Sequence, residues 1–291
     1  MAYARGVEIV IDVCLDAFLD SFKVFGIAFV LYFIFSFAHD KITHLFQKHK
    51  RVSPLIGASC GLIPECGISV VGAEMYQKKE MSMGTILAIF FACSDEALFI
   101  LFSDYKKMVY VIPLLGIKFI FACVLGYIID RIHKEKALVF DAEDLKLDCC
   151  EHHHEESKFQ KHFIHPLIHC LKIFGYVFII NLIFGMLVYY IGEDTILVFL
   201  QSNKALGPLV SGVIGLIPNC AASVLMSELF LMEGLSFGAL VTGLSVNAGV
   251  GLVYLLKFKE MRKNVGIMAL ILFLYSLMIG YVILGIMEWI G

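Results

Sequence analysis

Six stretches of this chain are apolar over lengths that suit a bilayer: residues 24–38, 83–103, 108–130, 173–191, 236–256 and 265–290. A hydrocarbon core of about 30 Å takes roughly 20 apolar residues to cross as a helix, so each stretch crosses or nearly crosses. The rest of the composition agrees, with 59% hydrophobic residues, only 17% charged and a mean hydropathy of +0.84. A soluble domain is nearer half apolar and a quarter charged. The expected fold class is therefore an all-α polytopic membrane protein. Residues 8–20 run acids through their apolar stretch and do not read as a cleavable signal peptide. A net charge of −3 gives no hold for nucleic acid. The nine cysteines lie mostly in apolar segments, which argues against a secreted disulfide scaffold. Cys14, Cys123 and Cys170 read as small core residues.

One decamer does not suit lipid, and it occurs twice. GLIPECGISV at 61–70 returns as GLIPNCAASV at 215–224. The offset of 154 residues also pairs Pro64 with Pro218, Cys66 with Cys220, Ser69 with Ser223 and Glu74 with Glu228. It goes on to pair Ser82 with Ser236, Gly84 with Gly238 and Leu98 with Leu252, while KVFG at 23–26 matches KIFG at 172–175. The expected organisation is a first transmembrane repeat at 1–133, a cytoplasmic linker at 134–161 and a second repeat at 162–291.

Basic residues set the sidedness. Lys41, Lys48, Lys50 and Arg51 precede the first decamer segment and Lys78 and Lys79 follow it, so both of its flanks read as cytoplasmic. Around the second decamer, 191–207 offers only Lys204 and 231–235 offers no Lys or Arg, so both flanks read as external. Loop 257–263 (KFKEMRK) falls inside, and Lys106 and Lys107 break the pattern by falling outside. Each decamer segment then enters and leaves on one side as a re-entrant broken-helix hairpin. With three crossings per repeat, the expectation is two inverted repeats and ten segments in total. Proline ends a helix and glycine permits a turn, so the decamer becomes a gap between half-helices. Such a gap survives at membrane depth only where protein or a water-filled cavity satisfies its polar groups.

Residues 93–96 read CSDE in the middle of the 83–103 run. Intramembrane carboxylates cost ~3 kcal/mol or more each unless paired or solvated, so Asp95 and Glu96 mark a functional centre. The matching stretch of the second half is SVNAGVG, in which Asn247 aligns with Cys93 and Gly249 and Gly251 could open the helix. One ion site at the repeat interface is expected. It would draw hard oxygens from Glu65, Asp95 and Glu96, sulfur from Cys66, Cys220 and Cys93, and neutral oxygens from Ser94, Asn219 and Asn247. Carboxylates favour manganese or magnesium and thiolates favour zinc, copper or arsenic(III), so a mixed set points to a transition metal or a metalloid. Cys66 and Cys220 also fit close helix packing as small residues. Glu74 and Glu228 read equally as coupling or second-site acids and as interface residues. Lys118 lies deep in the 108–130 run and needs a partner, with Asp95 or Glu96 expected.

The linker holds Cys149, Cys150, Glu151, His152, His153 and His154, a metal-binding composition without the spacing of a zinc finger. It reads as a tract that gathers metal, against a solvated loop whose histidines do nothing. His162, His165 and His169 follow at helical spacing.

Four motifs, GLIPEC (61–66), ACSDEALF (92–99), GLIPNC (215–220) and SVNAG (245–249), together with the His-rich stretch, carry a likeness. The chain resembles the ten-transmembrane heavy-metal exporters, a family whose members are labelled arsenic efflux proteins or manganese transporters. The resemblance implies export of a metal or metalloid without settling which one. The leading expectation is an alternating-access exporter of a divalent, manganese-like metal at the cell inner membrane, with protons as the expected coupling ion. The alternative is an arsenite or other metalloid efflux permease that works through its membrane-embedded cysteines. The metal is cargo, and no cofactor is expected. The expected partners are the lipid bilayer and the ion, without nucleic acid, and a homodimer is left open. No Walker A motif supports ATP hydrolysis. An enzyme is not expected either: neighbours on a helix such as Asp95 and Glu96 point roughly 100° apart, which is poor geometry for a shared-proton dyad. A metal sensor that carries nothing would bind without flux.

Overall fold

The computed structural model describes residues 52–63, 66–93, 97–103, 105–132 and 192–290, with scattered helical positions within 14–30 and 167–190. Every regular element among them is helical. A proline in the first turn, where its missing N–H leaves no bond unmade, starts α1 (Ser53–Gly61). The chain resumes as α2 (Cys66–Gln77), α3 (Met83–Ala92), α4 (Ala97–Ser103) and α5 (Val111–Ile132). After α6 (Glu193–Ser202) the series runs again. Pro208 lies in the first turn of α7 (Gly207–Gly215), followed by α8 (Cys220–Leu231), α9 (Phe237–Val246), α10 (Val250–Leu256) and α11 (Arg262–Ile290). The offset of 154 carries the bounds of α1, α2 and α3 onto those of α7, α8 and α9. The capping recurs too, for Ser82 accepts the Thr85 N–H at 3.2 Å and Ser236 accepts that of Ala239 at 3.2 Å.

Small residues let these helices meet backbone to backbone, the usual device where apolar side chains gain nothing by leaving lipid. A β-carbon on Gly84 would collide with the Gly126 carbonyl, and one on Gly238 with the Gly280 carbonyl. Gly61 lies likewise against Ile89 and Ala92, and Gly215 against Gly243 and Val246. All four contacts obey the same offset.

Contacts at the helix termini define two ends of the bundle. At one end Asp130, near the C-terminus of α5, takes the Gly84 N–H at 2.9 Å and the Ser82 hydroxyl at 2.9 Å. Pro54 of α1 packs against Gly126 there, and Tyr76 of α2 meets Asn264 of α11 at 3.4 Å. At the other end Tyr110 packs on Phe230 and Phe237 with ring centroids 5.4 Å apart, and Lys107 pairs with Glu233 at 3.3 Å. Between these ends run the 22 residues of α5, about 33 Å of helix. Both α1 and α2 have their outer termini at the Asp130 end, whereas α7 and α8 have theirs at the Tyr110 end. The basic loops 77–82 and 257–263 share one end. Lys107, one of the two exceptions to the charge pattern, pairs with Glu233 at the other.

Among the described residues, Met108–Ile132, Phe237–Leu256 and Lys259–Trp289 are long and apolar enough to cross a membrane. The first and third expose Ile112, Ile120, Ile128, Leu270, Leu274 and Val282, as lipid-facing helices do. The middle one is largely buried and is interrupted at 247–249. Here the reading of 83–103 as one apolar crossing is corrected, whereas in 236–256 the chain opens at Gly249, one of the two glycines expected to allow it. Helix α3 ends at Ala92 with Cys93 at φ −56°, ψ 130°, and helix resumes at Ala97. In the second series Gly249 stands at φ +61°, ψ −161°, a backbone open to glycine and rarely to other residues.

Candidate functional site

Gly61 against Ala92, and Gly215 against Val246, bring the inner end of α1 to the end of α3 and that of α7 to the end of α9. The two helix series then exchange partners. Helix α2 packs on α10 and α8 packs on α4, and the Gly251 N–H donates to Ser69 Oγ at 3.2 Å. The interruptions of the two series are thereby held in one central region.

Lys118 reaches that region from α5. Its side chain is 0% exposed, and its Nζ donates to the carbonyl of Cys93 and, at 2.8 Å, to that of Leu244. Both acceptors are carbonyls that a continuing helix would have bonded and an interrupted one leaves over. The lysine so caps α3 and α9 together, across 25 and 126 residues of chain. Asp95 and Glu96, its expected partners, lie outside the described residues.

At the end of α9 and the start of α8 two amides have orientations set by backbone hydrogen bonds. Asn219, 2% exposed, turns Oδ1 to the Ala221 N–H at 2.9 Å and so caps α8. Asn247, also 2% exposed, accepts the Gly249 N–H at 3.0 Å and donates to the Asn219 carbonyl at 3.0 Å. Both amide oxygens already face backbone N–H groups. Asn219 Nδ2 and Ser245 Oγ are buried without a hydrogen-bond partner among the described residues. A free N–H cannot ligate a metal. That Nδ2 suits a water or another oxygen acceptor, while each amide oxygen keeps a second lone pair beside the N–H it already accepts.

The remaining candidates divide. Glu74 is bonded through Oε1 to Lys78 at 2.6 Å near the Asp130 end, and its Oε2 is buried without a partner among the described residues. Glu228, partly buried on α8, occupies the equivalent place towards the other end. Cys66 and Cys220 each open a helix after the gap, with side chains outside the described residues. Glu65, Ser94, Cys149, Cys150, His152, His153 and His154 also lie outside them, as do His162, His165 and His169. Among the described residues no group of three or more His, Cys, Asp or Glu side chains forms a metal cluster. Sequence reasoning missed Asp130, which looks like one more charge at a helix end beside Arg131, and Ser245, whose only signal is its place two residues before Asn247.

No curated protein and no solved structure matches the chain. A family model described as "Putative, 10TM heavy-metal exporter" matches residues 5–183. The matched region takes in the first decamer, the 92–99 run and the His-rich linker, and stops before the second decamer. That is more than half of the 291 residues, and the chain belongs to the ten-transmembrane heavy-metal exporter family.

Proposed function

We propose that this protein is a secondary exporter that moves a divalent, manganese-like transition metal across the cell inner membrane by alternating access, with protons as the coupling ion. The observation that carries the reading is the fully buried Lys118 joining two interrupted helices, one from each series. Ionisable groups and broken helices at membrane depth are what ion pathways require and what a passive scaffold avoids. The adjacent 94–96 segment supplies Asp95 and Glu96 for a hard cation, with Glu65 between α1 and α2 and Cys66 opening α2. Two inverted repeats, each with a re-entrant hairpin, are supported by the end contacts: α1 and α2 have their outer termini at one end, α7 and α8 at the other. In this scheme the 149–154 tract collects metal, and Glu74 and Glu228 serve the coupling steps.

The test is flux of Mn²⁺, Zn²⁺, Co²⁺ and arsenite in proteoliposomes, for wild type and Asp95→Asn. Divalent flux in wild type that vanishes in the variant is the expected result. Arsenite flux indifferent to the substitution moves the site to Cys66 and Cys220. Absence of any metal or metalloid flux refutes the export reading.

A further inference from the structure

Two of the partners of Lys118 are carbonyl oxygens at helix C-termini. Helix α3 ends at Ala92, with Cys93 as its C-cap, and Leu244 lies in the last turn of α9, which ends at Val246. Each helix has ten residues, and each brings a partial negative charge of about half an electron to its C-terminus, spread over carbonyls without helical donors. Two such ends converging on one buried point make a place for a cation, as the broken helices of transporters do for monovalent ions. An ammonium fills it with a charge and N–H donors on a flexible stem.

We infer that the meeting point of α3 and α9 is a monovalent-cation site whose resident occupant is the Lys118 ammonium. The side chain stands where a free potassium, sodium or ammonium ion would otherwise bind, and so ties both interruptions together without drawing an ion from solution. The asymmetry of the two series agrees with one such occupant. The equivalent position on α11 is Leu272, also 0% exposed, so among the described residues the matched pair of positions supplies one tethered cation rather than two. This assignment is separate from the export reading, because it concerns the cargo-free protein and its test needs no transport.

The experiment is chemical rescue of Lys118→Ala in detergent, followed by thermal melting in matched choline, sodium, potassium, ammonium and methylammonium chlorides. The expected result is a variant that melts below wild type in choline and regains about 3 °C with a small cation at ten times its dissociation constant. Wild type and Lys118→Met, which fills the space without a charge, are expected to show no such ion dependence. A Lys118→Ala protein that melts equally in all five salts overturns the inference, as does an equal shift in wild type. If Lys118→Ala does not fold in any salt, Lys118→Arg and Lys118→Gln decide. Arginine keeping a melting temperature that glutamine loses supports the cation site, and glutamine matching wild type overturns it.

Discussion

Position 118 holds a lysine, and the position 154 residues later holds Leu272, equally buried. The same replacement of a charged by an uncharged residue recurs along the two helix series. Glu65 answers to Asn219, Lys78 to Met232, Asp95 to Gly249, Glu96 to Val250 and Asp130 to Leu284. The scaffold contacts behave in the opposite way and are kept in both series: the first-turn prolines, the serine caps and the glycine crossings at Gly84 and Gly238. The repeated framework therefore keeps Glu74 and Glu228 in common, while Lys118 and the acids Glu65, Asp95 and Glu96 belong to the first copy alone. The physical reason is the cost of buried charge. A second set of like charges facing the first would be screened little at membrane depth.

The sharpest way to break this comparison is to make the second series resemble the first. Leu272→Lys places an ammonium in a fully buried position built for leucine. It is expected to cost more than ~3 kcal/mol, read as loss of monodisperse protein on size-exclusion chromatography. Wild-type yield and melting temperature would show that both series tolerate charge alike.

Next come the matched crossings. Gly84→Ala and Gly238→Ala each push a methyl into a facing carbonyl, that of Gly126 or of Gly280. Each should lower stability by about 3 kcal/mol, seen as similar falls in melting temperature. Clearly unequal falls would mean that the two frameworks differ in more than charge. A smaller effect belongs to the second interruption alone. Gly249→Ala must hold an alanine at φ +61°, ψ −161°, at about 2 kcal/mol. A melting temperature unchanged by that substitution would remove the conformational requirement at this gap.

Asp130 tests the difference at the bundle end, since its carboxylate caps α3 and Leu284 has no such part for α9. Asp130→Ala is expected to lose about 1 kcal/mol in thermal or denaturant unfolding, with Leu284→Ala serving as an apolar-packing control. Smallest of all is Lys107→Ala, which removes an ion pair to Glu233, whose side chain is 79% exposed. Its expected effect is under ~0.5 kcal/mol, and raising the salt concentration in wild type should reproduce it.

The membrane class, the recurrence at 154 residues and the two decamer gaps were legible in the chain itself. Hydropathy, proline and glycine act through the solvent and the local backbone, so their meaning survives without knowledge of neighbours. The break at Cys93 was not legible, because the run from 83 to 103 contains no proline and its one glycine, Gly84, stands at the start of the helix. Nor could sequence give Lys118 its two carbonyls, Asp130 its cap on α3, or Asn219 and Asn247 their fixed orientations. Every residue carries a backbone carbonyl and every residue but proline an N–H, so a side chain that bonds to backbone leaves no mark on the identity of its partner. Only the tertiary structure decided which of these uniform groups the broken helices left open, and which side chains came close enough to meet them.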